Sequence, residues 1–257
     1  MPREARKTSG TKVYHVILKG NDSQDIFLDK QDYKKFLKEI TSTKEKFNYE
    51  VYAYCLMNNH VHMVLYDKKE KISKAMQSLA ISYSNYFSKK YEKTGHLFQN
   101  RFLSKNVETQ EYLMQVIRYI HKNPEKAGIS DLRNYTWSSF NEYIKEEKII
   151  TRQKFLSLFG NTMQEQIKNF KEFHIKGKEE INDYLEYEIK EKLTDEELIK
   201  QIQILFKITK VTKIKEYNTK IRNEKLIELK KIKGTSKSQL ARVLGINRKQ
   251  IERALKK

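Results

Sequence analysis

The sequence predicts an α+β protein: a ferredoxin-like βαββαβ domain over residues 1–160, a connector over 161–193, and a small all-α domain over 194–257. Three observations predict it. In the first half, β-rich runs and amphipathic helical stretches alternate in the order β-α-β-β-α-β, followed by one more helix. After residue 160 the chain turns polar, mixed in charge and weakly periodic, the pattern of a helical or extended connector. The last third returns to short, capped helical patterns and carries most of the excess positive charge.

Val13–Lys19 is a short β-rich run closed by Gly20-Asn21-Asp22, a turn signal. Asp29–Phe47 reads as helix, with Tyr33, Phe36, Leu37 and Ile40 on one apolar face. Tyr49–Cys55 and His60–Tyr66 read as strands joined by the hairpin-length link Leu56-Met57-Asn58-Asn59. Ile72–Tyr91 is a second amphipathic helix, and Phe102–Val107 a fourth strand. Thr109–Lys122 is a third helix, expected to stop at Pro124, whose ring disfavours helical geometry at Asn123. In the last third, Thr194-x-x-Glu197 is a capping box opening a helix with Leu198, Ile202, Leu205 and Phe206. A helix over about 219–232 supplies Leu226, Leu229 and Ile232. Ser236-x-x-Gln239 opens the next, carrying Leu240, Val243 and Leu244. Gly245 breaks it and Asn247 caps a last helix, Ile251, Ala254 and Leu255 facing back: a helix-turn-helix.

Lys and Arg outnumber Asp and Glu by 52 to 33, a formal charge of +19. Residues 210–257 hold 16 basic and 4 acidic side chains, so +12 of that charge sits in the last 48 residues. Such a balance predicts a polyanionic partner, nucleic acid before an anionic membrane surface. The longest apolar run, Val51–Met57, falls far short of the roughly 20 residues that span a bilayer. Residues 1–20 lack the apolar stretch of a signal peptide, and the single cysteine, Cys55, excludes an internal disulfide framework. A cytoplasmic, nucleoid-associated protein is expected. The 16 tyrosines and 12 phenylalanines supply a core.

His60-Val61-His62 is the sharpest local signal. On a strand the two imidazoles project from one face, ~7 Å apart along the chain, and can converge on one cation. The same pattern also suits two hydrogen-bonded sheet residues. A second segment, Arg118-Tyr119-Ile120-His121-Lys122-Asn123-Pro124, places Tyr119 and Asn123 one turn apart on the flank of the stripe formed by Leu113, Val116, Ile117 and Ile120. Asn123 can add an oxygen ligand while Tyr119 stays unligated and faces the phosphate. The remaining histidines read blandly: His15 as a sheet residue, His96 as structural near Gly95, His121 near the carbonyl end of its helix, His174 as solvent-exposed.

With Met57-Asn58-Asn59 before them, His60-Val61-His62 and Tyr119 through Pro124 resemble the HUH and tyrosine motifs of single-tyrosine transposases, closest to the REP-associated branch. Tyr14-His15-Val16-Ile17, Lys19-Gly20-Asn21, Gly95-His96-Leu97-Phe98-Gln99 with Arg101-Phe102, and Tyr135-Thr136-Trp137-Ser138-Ser139 extend the likeness over roughly residues 1–160. Asn58, Lys19 and Asn100 stand where many relatives carry proline, arginine and glycine. The resemblance implies Tyr119 as the nucleophile, forming a 5′-phosphotyrosine and a free 3′-OH. It implies His60, His62 and Asn123 as ligands of a divalent ion. Mg²⁺ or Mn²⁺ is expected, Mn²⁺ suiting imidazole better. The implied partner is single-stranded DNA beside a hairpin, with Lys19 and Arg101 contacting it. Relatives include homodimers as well as monomers.

The tail distantly resembles the duplex-binding domain of bacterial replication initiators, with Arg248, Lys249, Gln250 and Arg253, and Lys256 beyond them, on the outward face for duplex DNA. A non-transposing HUH nuclease is the neighbouring alternative. A non-catalytic DNA-binding regulator is the distant one, and the complete set of Tyr119, His60, His62 and Asn123 argues against it.

Overall fold

A computed structural model describes residues 8–176, 193–230, 232, 235 and 237–255, and the chain divides into two units, Met1–Glu180 and Ile181–Lys257.

The first unit is built on β1 (Val13–Lys19), α1 (Lys30–Phe47), β2 (Glu50–Met57), β3 (His60–Tyr66), α2 (Ile72–Tyr91), β4 (Leu103–Asn106) and α3 (Gln110–Lys126). The sheet order is β2-β3-β1-β4, and each neighbouring pair is antiparallel. β1 and β2 therefore run parallel with β3 between them, and β3 and β4 run parallel with β1 between them. This is the split βαβ arrangement of a ferredoxin-like sheet. Right-handed crossovers place α1 and α2 on one face, where they pack together. α3 lies on the other face, against β2 and β3.

Local chemistry fixes these elements. Asp29 caps α1, accepting from the Gln31 and Asp32 amides at 2.8 and 3.1 Å, and Asp32 reaches back to the Asp29 amide at 3.2 Å. The buried Asp32 also takes hydrogen bonds from Tyr86, Tyr91 and Lys90 of α2, which ties the two helices together. β2 runs two residues further than its sequence pattern indicated, so the hairpin link shortens to Asn58-Asn59. Asn58 accepts from the Tyr33 hydroxyl at 2.9 Å. The exposed edge of β2 is covered by residues 135–143. Leu56 N–H donates to Trp137 O, Ser139 N–H donates to Tyr54 O, and the Tyr135 and Tyr143 hydroxyls donate to Leu56 O and Tyr52 O. Pairing the edge in this way removes a row of unsatisfied backbone groups.

Three expectations need correction. α3 does not stop before Pro124 but runs through it to Lys126. Proline forfeits only one hydrogen bond near a helix end, and Gly128, at φ +66°, closes the helix a turn later. The expected connector contains α6 (Met163–Lys176), whose Phe170 stacks between Phe140 and Tyr143 in the first unit's core. The short helices α4 (Phe140–Ile144) and α5 (Gln153–Leu156) precede it; residues 177–192 lie outside the described ones. His174, expected in solvent, is fully buried.

The second unit comprises α7 (Asp195–Phe206), a 3-10 turn over Val211–Glu216, α8 (Thr219–Leu229), α9 (Lys237–Leu244) and α10 (Arg248–Ala254). Leu198, Ile202, Leu226, Leu229, Leu240, Val243, Leu244 and Ile251 share one core. Leu205 is exposed instead of packed. The Thr194/Glu197 capping box is present. Gly245, at φ +63°, ends α9 with Ile246 N–H bonded to Ala241 O, and Asn247 caps α10. Ser236 lies outside the described residues, and Gln239 bonds instead to Leu193 O and Asp195. Among the described residues, no helix is long and apolar enough to cross a membrane.

Candidate active site

β3 and α3 bring the two sequence signals together. His60 and His62 share the β3 face covered by α3, with ring centroids 4.9 Å apart. The Tyr119 ring stands edge-on to His62, centroids 5.7 Å apart. Asn123 lies one turn further along α3, its Nδ2 donating to Tyr119 O at 2.9 Å, which leaves its Oδ1 as the acceptor atom. Lys126, two turns beyond Tyr119, places its ammonium 4.8 Å from the tyrosine ring centre.

The imidazole nitrogens are differently engaged. His60 Nδ1 lies 2.6 Å from Asn59 Oδ1, an oxygen that only accepts, so Nδ1 carries the proton and Nε2 is bare. His62 Nδ1 lies 3.0 Å from Nε2 of His15, and His62 Nε2 is buried with no protein partner. Burial holds all three rings neutral. It pushes His60 down to about 4, with the Lys19 charge adding to the shift, and His15 down to about 3, helped by Lys105. His62 falls well below the usual histidine value through burial and its two histidine neighbours. Neutral imidazoles are the form that binds metal.

These residues fit a divalent ion: two neutral rings with Nε2 uncommitted, and an amide oxygen from the adjacent helix. Among the described residues, no group of three or more His, Cys, Asp or Glu side chains is arranged to hold a metal. The Asn123 Oδ1 on the adjacent helix is the candidate third ligand, and His15 Nε2 is engaged with His62.

The sequence segments on either side of the site converge at one end of the sheet. Lys19 pairs with His60 in the β1–β3 register. Gly20 N–H donates to Asn59 O, Asn21 N–H to Leu97 O, and Gln99 N–H to Lys19 O, at 2.8, 2.8 and 3.0 Å. A side chain at Gly20 would collide with the carbonyl oxygen of Gln24, so only glycine allows this closure. Arg101 is exposed on the same 95–102 loop, lining a groove with Ser84, Asn85 and Gln99. In the second unit, Arg248, Lys249, Gln250 and Arg253 are all exposed on α10, Arg248 pairing with Glu252 at 3.0 Å; Lys256 lies outside the described residues.

Sequence reasoning passed over Asn59, Lys126 and His15. Lys126 had a usable signal, its i+7 spacing from Tyr119. His15 had one too, as a lone imidazole inside an otherwise apolar strand.

Residues 9–123 match the family described as IS200-like transposases, a span that ends on Asn123 and includes His60, His62 and Tyr119. That segment, 115 of the chain's 257 residues, is similar to this family of transposases. Among solved structures, a REP-associated tyrosine transposase bound to a REP hairpin is similar at 16% identity, covering 56% of this chain and 86% of that one, with a TM-score of 0.48. No curated protein matches the chain in sequence.

Proposed function

We propose that the first unit is a metal-dependent single-tyrosine transposase domain that cleaves and rejoins single-stranded DNA through a 5′-phosphotyrosine. The observation that carries this reading is the Tyr119 ring set against His62, beside two neutral histidines whose Nε2 atoms are uncommitted.

Tyr119 Oη attacks the phosphorus, the bond from phosphorus to the 3′ oxygen breaks, and that oxygen leaves as a 3′-OH. The phenol gives up one proton and the leaving oxygen gains one. One ester is exchanged for another, so the reverse attack by a 3′-OH rejoins the strand without an energy source. A phenol with an ordinary pKa near 10 is a weak nucleophile at neutral pH. The Lys126 ammonium against the ring favours the charge that develops on the phenol oxygen. His60, His62 and Asn123 would hold Mg²⁺ or Mn²⁺, which draws charge from the scissile phosphate. Asn59 keeps His60 in the metal-binding tautomer. Tyr119 and His62 meet within one chain, which supports cleavage in cis.

Lys19 and Arg101, at the His60 end of the sheet, are proposed to contact the strand's phosphates, and the preference for DNA beside a hairpin follows the family resemblance. The exposed basic side chains of α10 suit the recognition helix of a helix-turn-helix on duplex DNA.

Incubation with single-stranded hairpin oligonucleotides in Mg²⁺ or Mn²⁺ tests the chemistry. The wild type should form an adduct that survives denaturation, and Tyr119→Phe should form none while still binding DNA. A normal adduct from that variant moves the nucleophile elsewhere. Removing residues 194–257 should preserve cleavage but weaken duplex binding and flatten its salt dependence. An unchanged slope takes the duplex contact away from the tail.

A further inference from the structure

His15 stands at the centre of the sheet, on β1, with its ring 5.2 Å from that of His62 and 6.4 Å from that of Tyr119. Both His15 and His62 are fully buried, and their one mutual hydrogen bond joins His15 Nε2 to His62 Nδ1 at 3.0 Å. The outer nitrogens, His15 Nδ1 and His62 Nε2, have no protein partner. One proton therefore lies in the bond between the rings, and its position decides what His62 presents. If His15 donates it, His62 carries its own proton on Nε2 and cannot ligate. If His62 donates it, Nε2 is a bare lone pair.

We propose that His15 is a positioning residue: it accepts the His62 Nδ1 proton and so holds the His62 ring with Nε2 free for a divalent cation. The inference rests on the metal reading above. It gives His15 the part that Asn59 plays for His60, that of an outer acceptor which fixes tautomer and ring orientation. Such partners typically change metal affinity 10- to 100-fold. A neutral imidazole suits the task because it accepts without bringing charge. The hydrogen bond spans 47 residues and depends on β1 lying beside β3.

Mn²⁺ binding to the full chain, followed by electron paramagnetic resonance, reads the effect without cleavage. His15→Leu should weaken Mn²⁺ binding roughly 10- to 100-fold. His15→Gln, whose amide reaches the place of Nε2, should recover much of the loss. Wild-type affinity in the Leu variant overturns the proposal. A Gln variant as weak as the Leu variant also overturns it, because the effect is then one of packing. Nitrogen-15 spectra of the Mg²⁺-loaded wild type give an answer that survives misfolding of either variant: His62 should be protonated at Nδ1, and a bare Nδ1 overturns the proposal. If the wild type binds no Mn²⁺ while His60→Ala behaves identically, the metal reading itself falls, and His15's role in it falls too.

Discussion

Two buried histidine pairs lie at α3, one beneath it on the sheet and one including its own His121, and they differ in how completely they are satisfied. In the first, His15 and His62 share one hydrogen bond and leave two ring nitrogens without protein partners. In the second, His121 and His174 form a closed chain. Tyr54 N–H donates to Ser139 Oγ at 2.9 Å, and Ser139 Oγ–H donates to His121 Nε2 at 2.8 Å. His121 Nδ1–H donates to His174 Nε2 at 2.9 Å, and His174 Nδ1–H donates to Phe170 O at 2.9 Å. The Phe170 carbonyl takes the His174 Nδ1 proton and so fixes each proton back to a bare His121 Nε2, while Ser139 Oγ also lies 3.2 Å from Tyr54 O. Buried polar groups in folded proteins are nearly always paired, so an orphaned lone pair signals capacity kept for something else. The closed pair anchors α3 to β2 and α6; the open pair is set toward the tyrosine that α3 carries.

The largest expected difference is in chemistry. His60→Ala should lower metal-dependent cleavage by about two to three orders of magnitude, the scale of losing one charge-stabilising element. Its unfolding midpoint should stay close to wild type, since the ring is only half-buried. Cleavage assays across a Mn²⁺ titration check it, and wild-type metal dependence in the variant would make the open pair merely structural.

The closed pair should respond the opposite way. His174→Ala leaves the His121 Nδ1–H buried without a partner and opens a cavity, while the Phe170 carbonyl keeps its helical bond from the residue-174 amide. A loss of about 2–4 kcal/mol in urea unfolding is expected. Mn²⁺ affinity of the folded variant should be unchanged. A variant that loses metal affinity at full stability would reverse the comparison.

Acid should weaken both pairs, and the share of the closed pair can be isolated at His174. Burial holds His174 down at about 3 in the folded chain, against an ordinary 6.5. Between those values the unfolded state binds more protons than the folded one, so stability rises with pH. It should therefore fall as pH drops from 6.5 toward 3. His174→Phe, which removes the group, should flatten that limb. Thermal unfolding at stepped pH measures it, and an equally steep limb in the variant would assign the proton uptake to other groups.

The elements were legible from local pattern: a β-rich run in Val13–Lys19, two imidazoles on alternate positions at the start of His60–Tyr66, and a 3.6-residue stripe through Val116, Ile117 and Ile120. His60, His62, Tyr119 and Asn123 were legible because each pair lies within four residues, where strand and helix geometry dictate who is adjacent. His15 and His174 were not. Their partners sit 47 and 53 residues away, brought close only by sheet order and by the docking of α6. Pro124 misled for a related reason. Proline's local cost is real, but one lost hydrogen bond in a last turn is outweighed by burying Pro124 itself against the unit's core.

Asn123 belongs to both halves of the comparison, and the smallest expected effect falls there. It sits two residues after His121, so the closed chain sets its place, while its side chain is proposed to serve the open site. Its Nδ2 is spent on Tyr119 O, which turns Oδ1 into the atom available to a cation. Asn123→Ala removes one neutral oxygen that water can replace, so cleavage and Mn²⁺ affinity should each fall only several-fold, well short of the His60→Ala loss. Asn123→Asp substitutes a charged oxygen, the harder ligand, and should tighten Mn²⁺ binding even though the donor to Tyr119 O is lost. The two changes thus push affinity in opposite directions if Oδ1 meets the ion. If both leave Mn²⁺ binding untouched and alter only thermal stability, Asn123 is a helix-capping residue and the site has another third ligand.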